Sequence, residues 1–159
     1  MIPPEIMEWA VGTHLGDHRD IETILLRGHL MLEVFLNTAI CQCVASPKHV
    51  ERLNLSFARK LVLLQSVAPA DFFDPEALPH LIADVNRLRN SLAHRWDFSP
   101  HREELHAWAK RVLDAFPETR VTRHTIRIET IAAFSTLAHC LMKNINKTEG
   151  INGAIRDKT

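Results

Sequence analysis

The run Val85-Asn86-Arg87-Leu88-Arg89-Asn90-Ser91-Leu92-Ala93-His94 places a guanidinium, an amide and an imidazole within a few helical turns. On a helix, Arg89 falls inside the arc occupied by Leu78, Leu81, Ile82, Val85, Leu88, Leu92 and Trp96 rather than opposite it. A guanidinium cannot lose its proton, so such a position requires acceptors or a solvated crevice. Asn90 and His94 are neighbours one turn apart at the edge of the polar face, and Arg87 continues that row. Residue types of this kind bind anions through the guanidinium and move protons through the imidazole. Between Arg87 and Arg102 stand Arg87, Arg89, Arg95, Arg102, His94 and His101, with Asp97 the only acid. Positive charge gathered around one histidine attracts a phosphodiester. Arg120, Arg123, His124 and Arg127 form a second basic cluster.

A purely structural reading stands beside this one. Arg89 would then hold a buried ion pair with Glu22, Glu33 or Asp84, and His94 would cap a helix C-terminus, where a cation is favoured. His29, His101, His106 and His139 read as surface or core residues with no chemical role.

The elements that must position these residues are all helical by period. Between Asp20 and Val44 the apolar residues Ile21, Ile24, Leu25, Leu32, Phe35, Leu36, Ala39, Ile40 and Cys43 recur in steps of three and four. Gly28 sits within that stripe and admits close approach of another helix, while Leu26 and Leu30 suggest a second apolar contact on the opposite side. Ser46-Pro47 opens a helix running to about Val67, with Val50, Leu53, Phe57, Leu61, Leu64 and Ala68 on its stripe. Asp74-Pro75 repeats the signal and opens a helix through about Trp96. Arg102 to Phe116 is the cleanest amphipath, through Leu105, Trp108, Ala109, Val112, Leu113 and Phe116, and Pro117 stops it. A last helix covers about Thr125 to Ile145, and a short one spans about Glu5 to Gly12. Residues 1–145 thus read as one all-α domain of five or six helices, and 146–159 as a frayed polar tail.

Composition sets the outer limits. The chain has 159 residues, with 19 Lys and Arg against 19 Asp and Glu, ten histidines, five glycines and no tyrosine. That length suits one domain. Net neutrality excludes a generic basic nucleic-acid coat but leaves a local phosphate site open. The scarcity of glycine argues against a turn-rich β-sandwich or barrel. Cys41, Cys43 and Cys140 read as reduced thiols, and no metal-ligand spacing is present, so no metal or other cofactor is expected. The first residues do not resemble a signal peptide, and no unbroken apolar run of about 18 residues occurs. A cytoplasmic protein without a membrane partner is expected.

At Arg89-Asn90-Ser91-Leu92-Ala93-His94 the chain resembles the HEPN family (higher eukaryotes and prokaryotes nucleotide-binding). Its hallmark is an Arg, a polar residue that is often Asn, and a His a few residues further on. Leu88 and Ala93 are typical flanking choices. The stretch Leu26-Arg27-Gly28-His29-Leu30-Met31-Leu32-Glu33 resembles the family's early long helix, and Asn54-Leu55-Ser56-Phe57-Ala58-Arg59-Lys60-Leu61 the helix that follows. The likeness spans roughly residues 20 to 145.

The resemblance implies a HEPN-like up-and-down bundle that dimerises, bringing two motifs to one cleft. It also implies a metal-independent endoribonuclease acting as a toxin or defence effector. Its catalytic residues would be Arg89, Asn90 and His94, with Arg87, Arg95 and Arg102 contacting the RNA substrate. An antitoxin or other regulatory protein is the second expected partner. One position departs from the family. The branch neutralised by nucleotidyltransferase antitoxins has His followed by x-Tyr, and here that position is Trp96. This counts against a partner of that kind. Trp96 itself reads as a core residue, with base stacking as its alternative. The alternative to an enzyme is a non-catalytic HEPN-type module that binds a partner protein, nucleotide or nucleic acid.

Overall fold

The computed structural model describes residues 2–44, 46–94 and 99–156, the side chains of 51 and 151–156 apart. Seven α-helices occur among them: α1 (Pro4–Gly16), α2 (Ile21–Cys43), α3 (Pro47–Arg52), α4 (Phe57–Val67), α5 (Leu78–Ala93), α6 (Arg102–Ala115) and α7 (Ile126–Arg156), with a 3-10 turn at Ser99–His101. No strand is present among the described residues. The all-α expectation holds, with more helices than the five or six expected.

Helix α2 starts where its cap demands. The Asp20 carboxylate accepts the Thr23 backbone N–H and the Thr23 hydroxyl, each at 2.7 Å. The Thr23 hydroxyl holds that carboxyl below its ordinary value, and the backbone amides of Thr23 and Glu22 and the charge of Arg102 add to this against the opposing cost of burial. The stripe anticipated from the periodicity is buried from Ile21 to Ile40. Leu26, Leu30 and Val34 face outward and stay exposed, so nothing described supplies the second apolar contact.

Pro47 to Val67 is two helices rather than one. The chain turns at Asn54, whose φ of 44° lies in the left-handed region. Leu53 is consequently exposed at 64%, off the stripe on which it was expected. Phe57, Leu61 and Leu64 of α4 are buried. Asp74-Pro75, a cis peptide, precedes a short turn, and α5 begins at Leu78.

Helix α7 is the central element, packing on α1, α2 and α6. It passes the expected end at Ile145 and continues to Arg156, which corrects the frayed-tail reading. Asn146 donates to the Ile2 carbonyl at 2.8 Å, Lys147 pairs with Asp71, and Thr148 is buried with its hydroxyl on the Asn144 carbonyl at 3.0 Å. Tertiary partners thus hold polar residues that have no apolar pattern of their own.

By length and composition α2 is able to cross a membrane, having mean hydropathy 1.4 over its most apolar window. The criterion of an unbroken apolar run does not pick out this helix. Half of that window is buried inside the bundle.

Gly28 faces Phe134 of α7. A Cβ there would lie 2.5 Å from the ring atoms Cε1 and Cζ. Phe134 is 1% exposed and packs on Trp108 at 5.0 Å between ring centroids, so the ring has little room to retreat. Five residues earlier on α7, buried Glu129 meets His106 of α6 through one oxygen and His124 Nδ1 through the other, the latter at 2.8 Å. Burial pushes the Glu129 carboxyl up, but the bonds from His124 and His106 outweigh it and hold the group below its ordinary value.

Two stability measurements test this packing. Gly28→Ala gains helix propensity of about 1 kcal/mol, yet the ring clash makes it net destabilising, by about 1–2 kcal/mol in denaturant titration. Glu129→Gln weakens the bundle by about 1–3 kcal/mol at neutral pH. The carboxyl titrates lower in the folded chain than in the unfolded one, so its contribution is complete above the ordinary carboxylate value and vanishes as pH falls through the folded value. The difference between wild type and Glu129→Gln therefore narrows on acidification.

Candidate functional site

Arg89 is half-buried in the wall of a cavity of about 330 Å³ between α2, α4 and α5. Its guanidinium Nη1 donates to Asn90 Oδ1 at 3.2 Å. The other lining groups are His29 and Glu33 of α2, Ser56, Phe57 and Ala58 at the start of α4, and Asn86 one turn before Asn90.

The three carboxylates weighed as partners for Arg89 make no ion pair with it among the described residues. Glu33 accepts from Lys60 Nζ at 2.7 Å. Asp84 faces the other side of α5, where Arg111 Nη2 lies at 2.6 Å and Arg87 Nε at 3.6 Å. Glu22 is exposed. The Arg89 charge therefore remains available to the cavity, tempered by one amide oxygen.

His29 is 5% exposed and lies against the Phe57 ring, with centroids 4.3 Å apart and planes at 26°. Its Nε2 is 3.2 Å from Asn86 Oδ1, a bond that requires the proton on Nε2. Burial pushes its pKa below the ordinary value. The Asn86 bond opposes that, the Arg89 charge reinforces it, and Glu33 opposes it more weakly. A neutral, fixed imidazole beside an arginine is thus built into the cavity wall. Read from the sequence, His29 was one more histidine without a role. The available signal was its position between Leu25 and Leu32 on the buried stripe of α2.

The remaining predicted residues are not gathered in one place. His94 is the C-terminal cap residue of α5, its backbone N–H donating to the Asn90 carbonyl at 3.2 Å, and its side chain is exposed. It lies about 140° around the helix from Arg89, so the two side chains leave α5 in different directions. Arg87 points to the α5–α6 seam, paired with Glu104 and Asp84, and the Glu104 bond raises its pKa further. Arg102 is exposed at the first position of α6. Arg95 and Trp96 lie outside the described residues. The second basic cluster is dispersed: His124 is held by Glu129, and Arg127 caps α1 through the Gly16 carbonyl at 2.6 Å and the His18 carbonyl at 3.0 Å.

No group of three or more His, Cys, Asp or Glu residues able to hold a metal is found among the described residues. The cavity itself offers the Arg89 cation, an imidazole, amides and a hydroxyl to a polar ligand, with the Glu33 carboxylate, paired to Lys60, also in its wall.

The coupling between His29 and Arg89 has a direct readout. In Arg89→Gln, the NMR titration midpoint of His29 rises, although burial still keeps it below the ordinary value. The sign for stability follows. A folded pKa below the unfolded one costs stability as pH falls below about 6.5, and the loss is shallower in Arg89→Gln. An unmoved His29 midpoint would show that the guanidinium does not face the imidazole.

Among known proteins, the chain matches no family model, no curated protein and no solved structure.

Proposed function

We propose that the chain is a HEPN-type, metal-independent endoribonuclease. The observation that carries the reading is the half-buried Arg89, turned into a polar cavity and in no ion pair with a carboxylate among the described residues. A guanidinium kept charged at a crevice is suited to a phosphodiester. Arg89 orients the scissile phosphate and stabilises the charge that grows on its oxygens. Asn90, whose Oδ1 already accepts from Arg89, keeps its amide hydrogens for a phosphate oxygen. His94 takes the proton of the ribose 2′-OH or gives one to the departing 5′-oxygen. The 2′-oxygen bonds to phosphorus as the P–O5′ bond breaks, leaving a 2′,3′-cyclic phosphate and a 5′-hydroxyl. No metal or cofactor enters these steps.

Because Arg89 and His94 leave α5 in different directions, the reaction draws on two copies of the chain facing each other across one cleft. The exposed row Leu26, Leu30 and Val34 on α2 is apolar surface that a second copy would cover. The biological role is that of a toxin or defence effector, with an antitoxin or regulatory protein as the second partner.

The competing reading is a non-catalytic HEPN-type module that binds a partner protein, nucleotide or nucleic acid. It is favoured by the exposed His94 side chain, which no described carboxylate orients, and by the commitment of Arg87 to Glu104.

Incubation of purified protein with mixed RNA in EDTA separates the two. Wild type is expected to cut, leaving cyclic-phosphate ends, and His94→Ala to lose about 10²–10⁴-fold in rate. RNA left equally intact by wild type and variant at high protein concentration rejects the enzyme. Mass measurement in solution is expected to return a dimer, and a monomer at working concentration removes the composite cleft.

A further inference from the structure

A larger cavity, of about 650 Å³, lies among α1, the loop before α5, the end of α6 and α7. It shares no residue with the Arg89 cavity. Its floor is neutral and already satisfied. The Cys140 thiol donates to the Asp74 carbonyl at 3.5 Å, and burial pushes its pKa up to about 11, so it remains a thiol. Asn144 is committed to the Phe72 carbonyl at 2.7 Å. Phe116 and Pro75 contribute apolar wall.

The rim carries charge of both signs. On this same rim Lys147 pairs with Asp71, and His139 with Glu8 at 2.8 Å. Asp74, Glu118, Arg120 and Lys143 also line the cavity, yet their side chains form no ion pair among the described residues. The fields of Lys143, Asp74 and Glu118 all reach the Cys140 thiol, Lys143 opposing the two acids. Two acids and two bases therefore face one cavity without neutralising each other.

We propose that this cavity is a binding site for a small zwitterion, an amino acid or dipeptide with an apolar side chain. Its ammonium faces Asp74 and Glu118, its carboxylate faces Lys143 and Arg120, and its side chain packs on Phe116 and Pro75. The balance of charge on the rim disfavours a polyanion such as a nucleotide or RNA. The site is independent of the ribonuclease reading.

Isothermal titration tests this with L-leucine, L-phenylalanine, Leu-Leu and Leu-Phe, each compared with its N-acetyl and C-terminal amide derivatives. At least one free zwitterion is expected to bind, and capping either end is expected to weaken it by at least about threefold. Lys143→Met and Glu118→Gln, both at exposed positions whose folding is checked by circular dichroism, are expected to produce a similar loss. The proposal is overturned if no zwitterion binds, if the capped forms bind as well as the free ones, or if both variants keep wild-type affinity.

Discussion

The bundle depends on one continuous contact that begins where a side chain is missing. Gly28 leaves room on α2 for the Phe134 ring of α7, and that ring lies against Trp108 of α6. The indole Nε1–H of Trp108 then donates to the Leu81 carbonyl of α5 at 2.9 Å. Four helices are thereby fixed by two buried rings and one hydrogen bond. An indole donor in a dry core must find an acceptor, so the bond specifies orientation as well as contact. Leu81 lies about two turns before Arg89 on α5. The packing of α6 against that helix therefore helps set the direction in which the guanidinium leaves it.

The same constraint orders the charges. The chain is neutral overall, and its fold brings several opposite charges together at helix seams. Arg87 and Arg111 converge on the α5–α6 side, Lys60 secures Glu33 between α4 and α2, and Arg127 closes the end of α1. Histidines follow the same logic, with His106 and His124 sharing Glu129 and His139 resting on Glu8. Against that background Arg89 is conspicuous because its hydrogen-bond partner is an amide. An amide satisfies one donor without cancelling the charge, which leaves the guanidinium able to attract an anion.

Much of the fold was legible from local signals. The buried stripe of α2 and the amphipath of α6 follow from residues within a few turns of one another, and Gly28 within that stripe marked where another helix could approach. The errors share a cause. Leu53 fits a helical stripe by spacing, but a left-handed Asn54 ends α3 and turns it outward. Asn146, Lys147 and Thr148 carry no apolar period, yet the Ile2 carbonyl, Asp71 and the burial of Thr148 extend α7 through them. His29, Glu33, Lys60 and Asn86 showed no common signal, since three helices contribute them.

The sequence by itself determined the helices, their inward faces and the anomaly of an arginine within an apolar arc. Those are properties of a period of 3.6 residues, and neighbours along the chain are enough to express them. Only the tertiary structure decided which carboxylates reach which cations, and that Arg89 meets a cavity instead of one of the described acids. Such pairings join positions as distant as His29 and Asn86, 57 residues apart. They depend on how far one helix slides and rotates against another, which is set by the shapes of Gly28, Phe134 and Trp108 at the core and has no local signature in the chain.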